Sequence, residues 1–390
     1  MTATPTPPAV PSSASVVVIG GGIMGVSTAY HLAQAGVEDV VLLERDTLGS
    51  GSTCKAAGGV RASFSDEANI LLGARSLETY RSFPTLFDQD IDLVTSGYLF
   101  LLDREEDVAV FESSVELQRS LGVRSEMVTP TRIADLSPLV RTEDLVAGAW
   151  GPDDGHATPE SAVAGFARAA RRLGVRILQH TAVTGIAVED GRITGVETNA
   201  GPIATGTVVC TAGAWSGALG AMVGVDLPVT PLRRHIMVTA PVSFDARSMP
   251  FTLDVSTSFY FHSEGSGMLL GAPDRTDAWG FDMHQDPRWS EYLCELIEHR
   301  APGLADVQAH RGWAGLYEVT PDHNALIGRA HEVEGFLYAC GFSGHGFLQG
   351  PAVGEVLRDL HLGTTPVVDV SGLSADRFAA ESLRPEAYII

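Results

Sequence analysis

The chain has 390 residues, 45% of them apolar and 42 of them glycine, enough for one or two buried cores and more than a small staple-dependent fold needs. Its formal net charge of -22 makes the surface repel phosphate backbones and anionic lipid, so neither nucleic acid nor a membrane is an expected partner. Cys54, Cys210, Cys294 and Cys340 lie far apart with no two-residue spacing between any pair, so neither a metal site nor a disulfide is expected.

Residues 1–14 are rich in Pro, Ala, Ser and Thr, without a basic start or a sustained apolar run, and are expected to be a disordered tail rather than a secretory signal. Apolar stretches elsewhere break before the roughly 18 residues that a membrane span requires, and a cytoplasmic protein is expected. The β-branched run Val16 to Ile19 then meets three glycines, the pattern of a buried parallel strand ending in a tight turn. A helix is expected from Ile23 to Ala35, closed by Gly36, followed by a second buried strand, Val40 to Leu43, that ends at Glu44.

Ser65, ahead of Asp66 and Glu67, reads as the N-cap of a helix running to about Tyr80. Ser96 to Leu102 then reads as a strand and Asp103 to Leu121 as an acidic amphipathic helix, the beginning of an insertion. The βα pattern resumes with a helix over Pro159 to Leu173 and strands at Arg176 to Leu178 and Val208 to Cys210; Asp190-Gly191 marks a hairpin between them. Residues 226–305 read as a second strand-rich insertion with a helix over Trp289 to His299. Gly335 to Ala339 is a last strand, and Gly346 to Leu360 a last helix. A cofactor domain over 15–90, 155–225 and 306–365 is therefore expected, interrupted by a second domain over 91–154 and 226–305, with 366–390 as a C-terminal extension.

Gly20, Gly22 and Gly25 form G-x-G-x-x-G between the first strand and helix, where glycine permits a tight turn and lets backbone approach a pyrophosphate at a helix N-terminus. Glu44, about 20 residues on, stands where a carboxylate binds ribose hydroxyls. A second small-residue loop, Gly51 to Gly59, and glycine-bearing turns at Ala212-Gly213 and Gly341 to Gly346 give further places for close backbone approach. The pattern alone does not separate NAD from FAD, although an NAD enzyme leaves the C-terminal glycine turn unexplained.

The blocks V-V-V-I-G-G-G-I-M-G (16–25), G-S-G-S-T-C-K-A-A-G-G-V-R (49–61), V-V-C-T-A-G-A-W-S (208–216) and G-F-S-G-H-G-F (341–347), with G-L-Y-E-V-T-P-D (315–322), resemble the D-amino-acid oxidase superfamily of FAD enzymes. Within it the chain is most similar to sarcosine oxidase, monomeric and β subunit, and to dimethylglycine dehydrogenase-like enzymes. The resemblance implies an α/β fold: a Rossmann-like FAD-binding domain of the glutathione-reductase/p-hydroxybenzoate-hydroxylase type, with a β-sheet-rich α+β substrate domain inserted. It also implies cofactor contacts at Gly20, Gly22, Gly25, Glu44, Ser52, Thr53, Lys55, Ala57, Gly58, Val183, Ala212, Gly213, Gly315, Gly344, His345, Gly346 and Phe347.

Its members oxidise a C–N bond by passing hydride to flavin N5, which implies a small amine or amino acid as substrate, secondary or N-methylated, an imine product, and oxygen or another electron acceptor. Arg61 aligns with the arginine that grips the substrate carboxylate in sarcosine oxidases, a task that suits its planar fork. Lys55, the single lysine in the chain, stands where dimethylglycine dehydrogenase-like members attach flavin through a histidine, and Gly315 where monomeric sarcosine oxidases use a cysteine. Both departures imply FAD held without a covalent bond, and Lys55 is read either as a desolvated amine near the ring that promotes reaction with oxygen or as a solvent-exposed lysine. Leu348 and Leu269 replace the lysines that assist carboxylate binding and oxygen activation, and Tyr317 replaces an arginine of glycine oxidase-like members. Tyr260 and His262 alternate on one strand and are expected to face the substrate; His345 is expected beside the flavin ring. A 2-hydroxy-acid oxidoreductase and a flavin-bearing electron-transfer or scaffold subunit are the alternatives.

Overall fold

A computed structural model describes residues 9–379 and 383–386. Its first sheet has six strands in the order Leu326–Arg329, Phe336–Cys340, Val208–Cys210, Val16–Ile19, Val40–Leu43 and Arg176–Leu178, parallel except for the first pair. Val16 and Val18 point into a core shared with the helices Ile23–Gln34, Glu67–Arg81, Pro159–Arg172 and Gly346–Leu362. Val17 and Ile19 point the other way, into a core closed by Ile186, Val196 and Ile203 of a three-stranded antiparallel sheet. Burial on both faces is why this strand reads as an unbroken β-branched run. Asp190 and Gly191, with φ of 50° and 74°, turn the small sheet's hairpin.

The second sheet has eight strands, in the order Ala309–Val319, Thr230–Thr239, Gly267–Ala272, Tyr260–Glu264, Phe251–Asp254, Tyr98–Leu102, Ala147–Gly151 and Glu126–Val128. Its Phe259, Phe261, Met268 and Leu270 pack under the helix Pro287–Arg300 through Trp289 and Leu293. The opposite face carries Tyr98, Phe100, Ile236, Phe251, Tyr260 and Leu269.

Several expectations shift. The strand Ala309–Val319 was expected in the cofactor-binding stretch 306–365, but it hydrogen-bonds along Thr230–Thr239 as an edge of the eight-stranded sheet. Its Trp313, Leu316 and Tyr317 are set by that pairing rather than by the βα pattern on either side. Asp66, not Ser65, caps its helix by accepting from the Ala68 N–H at 2.9 Å, while Ser65 binds Glu386 instead. Residues 12–14 are not a loose tail: Ser12 and Ala14 exchange backbone hydrogen bonds with Ala204. Residues 1–8 lie outside those described.

The C-terminal stretch is likewise bound to the body. Arg377 holds the buried Asp322 carboxylate through two bonds of 2.8 Å, and Glu386 accepts from Ser65 and Asn69. Among the described residues, no helix is long and apolar enough to cross a membrane, and no group of His, Cys, Asp or Glu is placed to hold a metal ion.

Candidate cofactor and substrate site

One cleft runs from the C-terminal ends of the parallel strands to the face of the eight-stranded sheet. Over the parallel sheet it is built mainly from backbone. Gly20 sits at φ 110°, a conformation that side chains avoid, and a Cβ there would press into the Thr211 carbonyl. The Glu44 carboxylate reaches the same turn, accepting from the Gly21 N–H at 2.7 Å and the Asp46 N–H at 2.8 Å. Thr53 accepts from the Ile23 N–H at 3.2 Å, so the second glycine-rich loop is fixed against the start of the first helix. Trp215 lies under the Arg45 guanidinium, 3.8 Å from the ring centroid, and stacks on Phe281.

Ser52 donates to the Leu316 carbonyl at 2.7 Å and the Trp313 indole to the Lys55 carbonyl at 3.2 Å, which ties the loop to the eight-stranded sheet. Gly315 lets this approach happen, because a Cβ there would come within 2.9 Å of the Lys55 Cβ. The Lys55 amine donates to the carbonyls of Ser50 and Gly51. Desolvation lowers its pKa. The cation is therefore turned onto its own loop.

Of the residues singled out from sequence, Gly20, Gly22, Glu44, Ser52, Thr53, Lys55, Ala57, Gly58, Arg61, Val183, Ala212, Gly213, Tyr260, Gly315, Gly344, His345, Gly346 and Phe347 all line this cleft. Gly25 and His262 do not line it. A Cβ at Gly25 would overlap the Gly20 carbonyl, so this glycine serves contact between helix and turn. His262 was expected to face the substrate, but its Nε2 lies 2.9 Å from the Ala57 carbonyl and its Nδ1 2.7 Å from the Ser263 carbonyl. Burial pushes its pKa down to about 4, and it supports the loop from behind.

Against the eight-stranded sheet the lining is made of side chains. Arg61 is 2% exposed, donates to the Ser63 carbonyl and lies over the rings of Phe64, at 4.0 Å, and Tyr98, at 5.5 Å. Asp154 fixes the segment around it by accepting from the Ala62 N–H and the Ser63 hydroxyl, and burial pushes its pKa up to about 6. Phe251 stacks between Tyr98 and Tyr260, and Gly271 leaves the space that the Tyr260 ring fills. Burial raises the Tyr260 pKa well above its ordinary value and lowers that of His345 to about 3, so both are neutral at pH 7. The His345 Nε2 is buried without a hydrogen-bond partner among the described residues, which suits a polar contact to a bound ring. Leu348 lines the cleft and Leu269 lies behind it in the apolar face.

Arg234, Glu318, Tyr98 and Phe251 line the cleft without having been singled out from sequence. Arg234 left one signal, its place in the polar triplet Arg233-Arg234-His235 between apolar Leu232 and Ile236 to Val238, but nothing local says which way it points. Glu318 accepts from the Gly341 N–H at 3.0 Å, and burial pushes its pKa up to about 7.

The glycine turns, the carboxylate at the second strand and the partnerless imidazole nitrogen fit a flavin dinucleotide along the cleft. Human mitochondrial sarcosine dehydrogenase is 32% identical over 94% of this chain and 42% of its own length. The 4-methylaminobutanoate oxidase (formaldehyde-forming) of Paenarthrobacter nicotinovorans is 29% identical over 95% of this chain and 46% of its own. The chain thus spans less than half the length of these curated relatives. The crystal structure of L-proline dehydrogenase from P. horikoshii superposes with a TM-score of 0.90 at 33% identity, covering 96% of this chain and all of that one. A family model described as DAO, FAD dependent oxidoreductase, matches residues 15–360, and the chain belongs to that family.

Proposed function

We propose that the chain oxidises the C–N bond of a small secondary or N-methylated amino acid, with FAD held non-covalently along the cleft. The observation that carries this is Arg61, buried among Phe64 and Tyr98 where the cleft meets the eight-stranded sheet, a guanidinium in an aromatic enclosure suited to a carboxylate. The relatives' names point the same way, since sarcosine, 4-methylaminobutanoate and L-proline are all secondary amines. Non-covalent attachment is supported by Gly315, which offers no side chain, and by the Lys55 amine turned onto loop carbonyls.

FAD supplies the acceptor: two electrons and a hydrogen leave the carbon beside nitrogen, the nitrogen gives up its proton, and an imine remains. The chain's own residues bind and orient. Arg61 holds the carboxylate, which fixes the neighbouring C–H bond in place. Phe251, Tyr98 and Tyr260 exclude water, and the low dielectric they create favours the neutral, oxidisable amine. Neutral His345 and Tyr260 add no charge that would oppose it.

Anaerobic titration of the yellow protein tests this. Sarcosine, L-proline or another secondary amino acid should bleach the flavin band, and acid precipitation should leave the flavin in the supernatant. Bleaching by 2-hydroxy acids with none by amines would overturn the substrate class, and colour retained in the pellet would overturn non-covalent binding.

A further inference from the structure

Arg233 and Arg234 are adjacent on the strand Thr230–Thr239 and have opposite fates. Arg233 points away from the cleft and is neutralised: Asp274 takes its Nε and Nη2 at 3.2 Å each, and Asp282 its Nη1 at 3.1 Å. Arg234 points into the cleft. It stands opposite Gly315 in the strand pairing, a partner that presents no side chain of its own, and its guanidinium carbon lies 5.3 Å from the Tyr317 ring centroid. Its Nη1 donates to the Arg233 carbonyl at 3.1 Å and meets Asp277 only at 3.5 Å, with that carboxylate 49% exposed. Its Nε is buried with no hydrogen-bond partner among the described residues.

A guanidinium with a buried, unmet N–H on a wall otherwise made by Ile236, Tyr260 and Phe251 is costly unless an acceptor arrives with the ligand. Arg61 serves the same part of the cleft from a different element, and Tyr317 lies within the influence of both guanidiniums. Two cations at separate points of one small enclosure match a ligand with two anionic groups. They do not match sarcosine or proline, which have one.

We infer that the preferred substrate is a dicarboxylic secondary amino acid, with its α-carboxylate on Arg61 and a second carboxylate, carried by the N-substituent or the side chain, on Arg234. This rests on the C–N oxidation proposed above and narrows its substrate class. The recognition is positional: Arg234 acts on the remote end of the substrate and so sets specificity rather than the bond that breaks.

The test uses thioethers, in which sulfur replaces the amine so that no imine can form. Thiodiacetate carries two carboxylates and methylthioacetate one, and each is titrated into the FAD-loaded protein while the perturbation of the flavin spectrum is read. Thiodiacetate should bind about tenfold more tightly or better, and Arg234→Gln should reduce that ratio by about tenfold. Arg234→Lys, which keeps the charge without the fork, should retain part of the preference, and the flavin-to-protein ratio of each variant checks that the cofactor is in place. A native protein that binds both thioethers equally, or an Arg234→Gln protein that keeps the ratio, overturns the inference while leaving C–N oxidation standing. If neither thioether binds and no secondary amine bleaches the flavin, the C–N reading itself falls and takes this one with it.

Discussion

The two parts of the cleft are built by different means. Over the six-stranded sheet, the wall is a set of backbone turns held by short-range contacts: Gly20 against Thr211, Glu44 against Gly21 and Asp46, Thr53 against Ile23. Against the eight-stranded sheet, the wall is Arg61, Tyr98, Arg234, Phe251, Tyr260 and Tyr317, side chains that come from one loop and five separate strands. A backbone wall depends on conformation, which few residue types can supply, so it accepts little change. A side-chain wall depends on which residue stands at each register position, so it can be rewritten by point substitution while the sheet stays intact. On the function proposed above, cofactor binding falls to the backbone wall and substrate choice to the side-chain wall.

If that division is right, damage to the two sides should have different readouts. The largest effect on stability is expected from Arg300→Met. Arg300, 1% exposed at the end of its helix, binds Asp254 and both oxygens of Asp144 and so locks that helix to the eight-stranded sheet. Breaking such a pair leaves buried carboxylate uncompensated and should cost about 3–5 kcal/mol in urea unfolding. The protein that remains folded should still carry one flavin per chain. Gly25→Ala is expected to do the reverse. Its Cβ would overlap the Gly20 carbonyl, so the helix must move off the turn, with a cost of about 2–3 kcal/mol. The purified protein should be depleted of flavin by absorbance ratio. Equal loss of flavin in both variants would erase the distinction.

The same division explains how far the sequence could be read. Gly20, Glu44 and Gly344 were legible because their chemistry is local, a positive φ that favours glycine or a carboxylate at a fixed distance after a βα turn, and Gly22 and Ala212 because small residues mark the same turns. The first strand was legible because burial on both faces leaves an unbroken apolar run. Arg234 and Glu318 were not legible, because their meaning comes from register. Arg234 matters because it faces Gly315 across two strands far apart in sequence, and Glu318 because its strand crosses to the other sheet. His262 failed for a related reason. Alternation placed it correctly beside Tyr260, but the Ala57 carbonyl, delivered by a distant loop, had already claimed its ring. Strand periodicity gives the face of a residue and not what lies opposite.

Glu318 is where the two sides meet, and it gives the smallest and sharpest test. It belongs to the strand Ala309–Val319 of the eight-stranded sheet, yet its carboxylate holds the Gly341 N–H in the turn that opens the last helix of the cofactor side. Burial raises its pKa to about 7 in the folded chain, above the ordinary carboxylate value. The folded protein therefore binds this proton more tightly than the unfolded chain does. The associated stability is fully present below about pH 4.5 and is lost as the pH rises through about 7. Urea midpoints of the flavin-free protein should fall between about pH 5 and pH 8 by an amount on the order of 1 kcal/mol from this group. Glu318→Gln keeps a carbonyl acceptor for Gly341 and has no proton to lose, so it should flatten that part of the slope and exceed the native protein in stability at the alkaline end. An unchanged slope would mean that this carboxyl is solvated through the cleft, and that the junction of the two sheets is wetter than its packing implies.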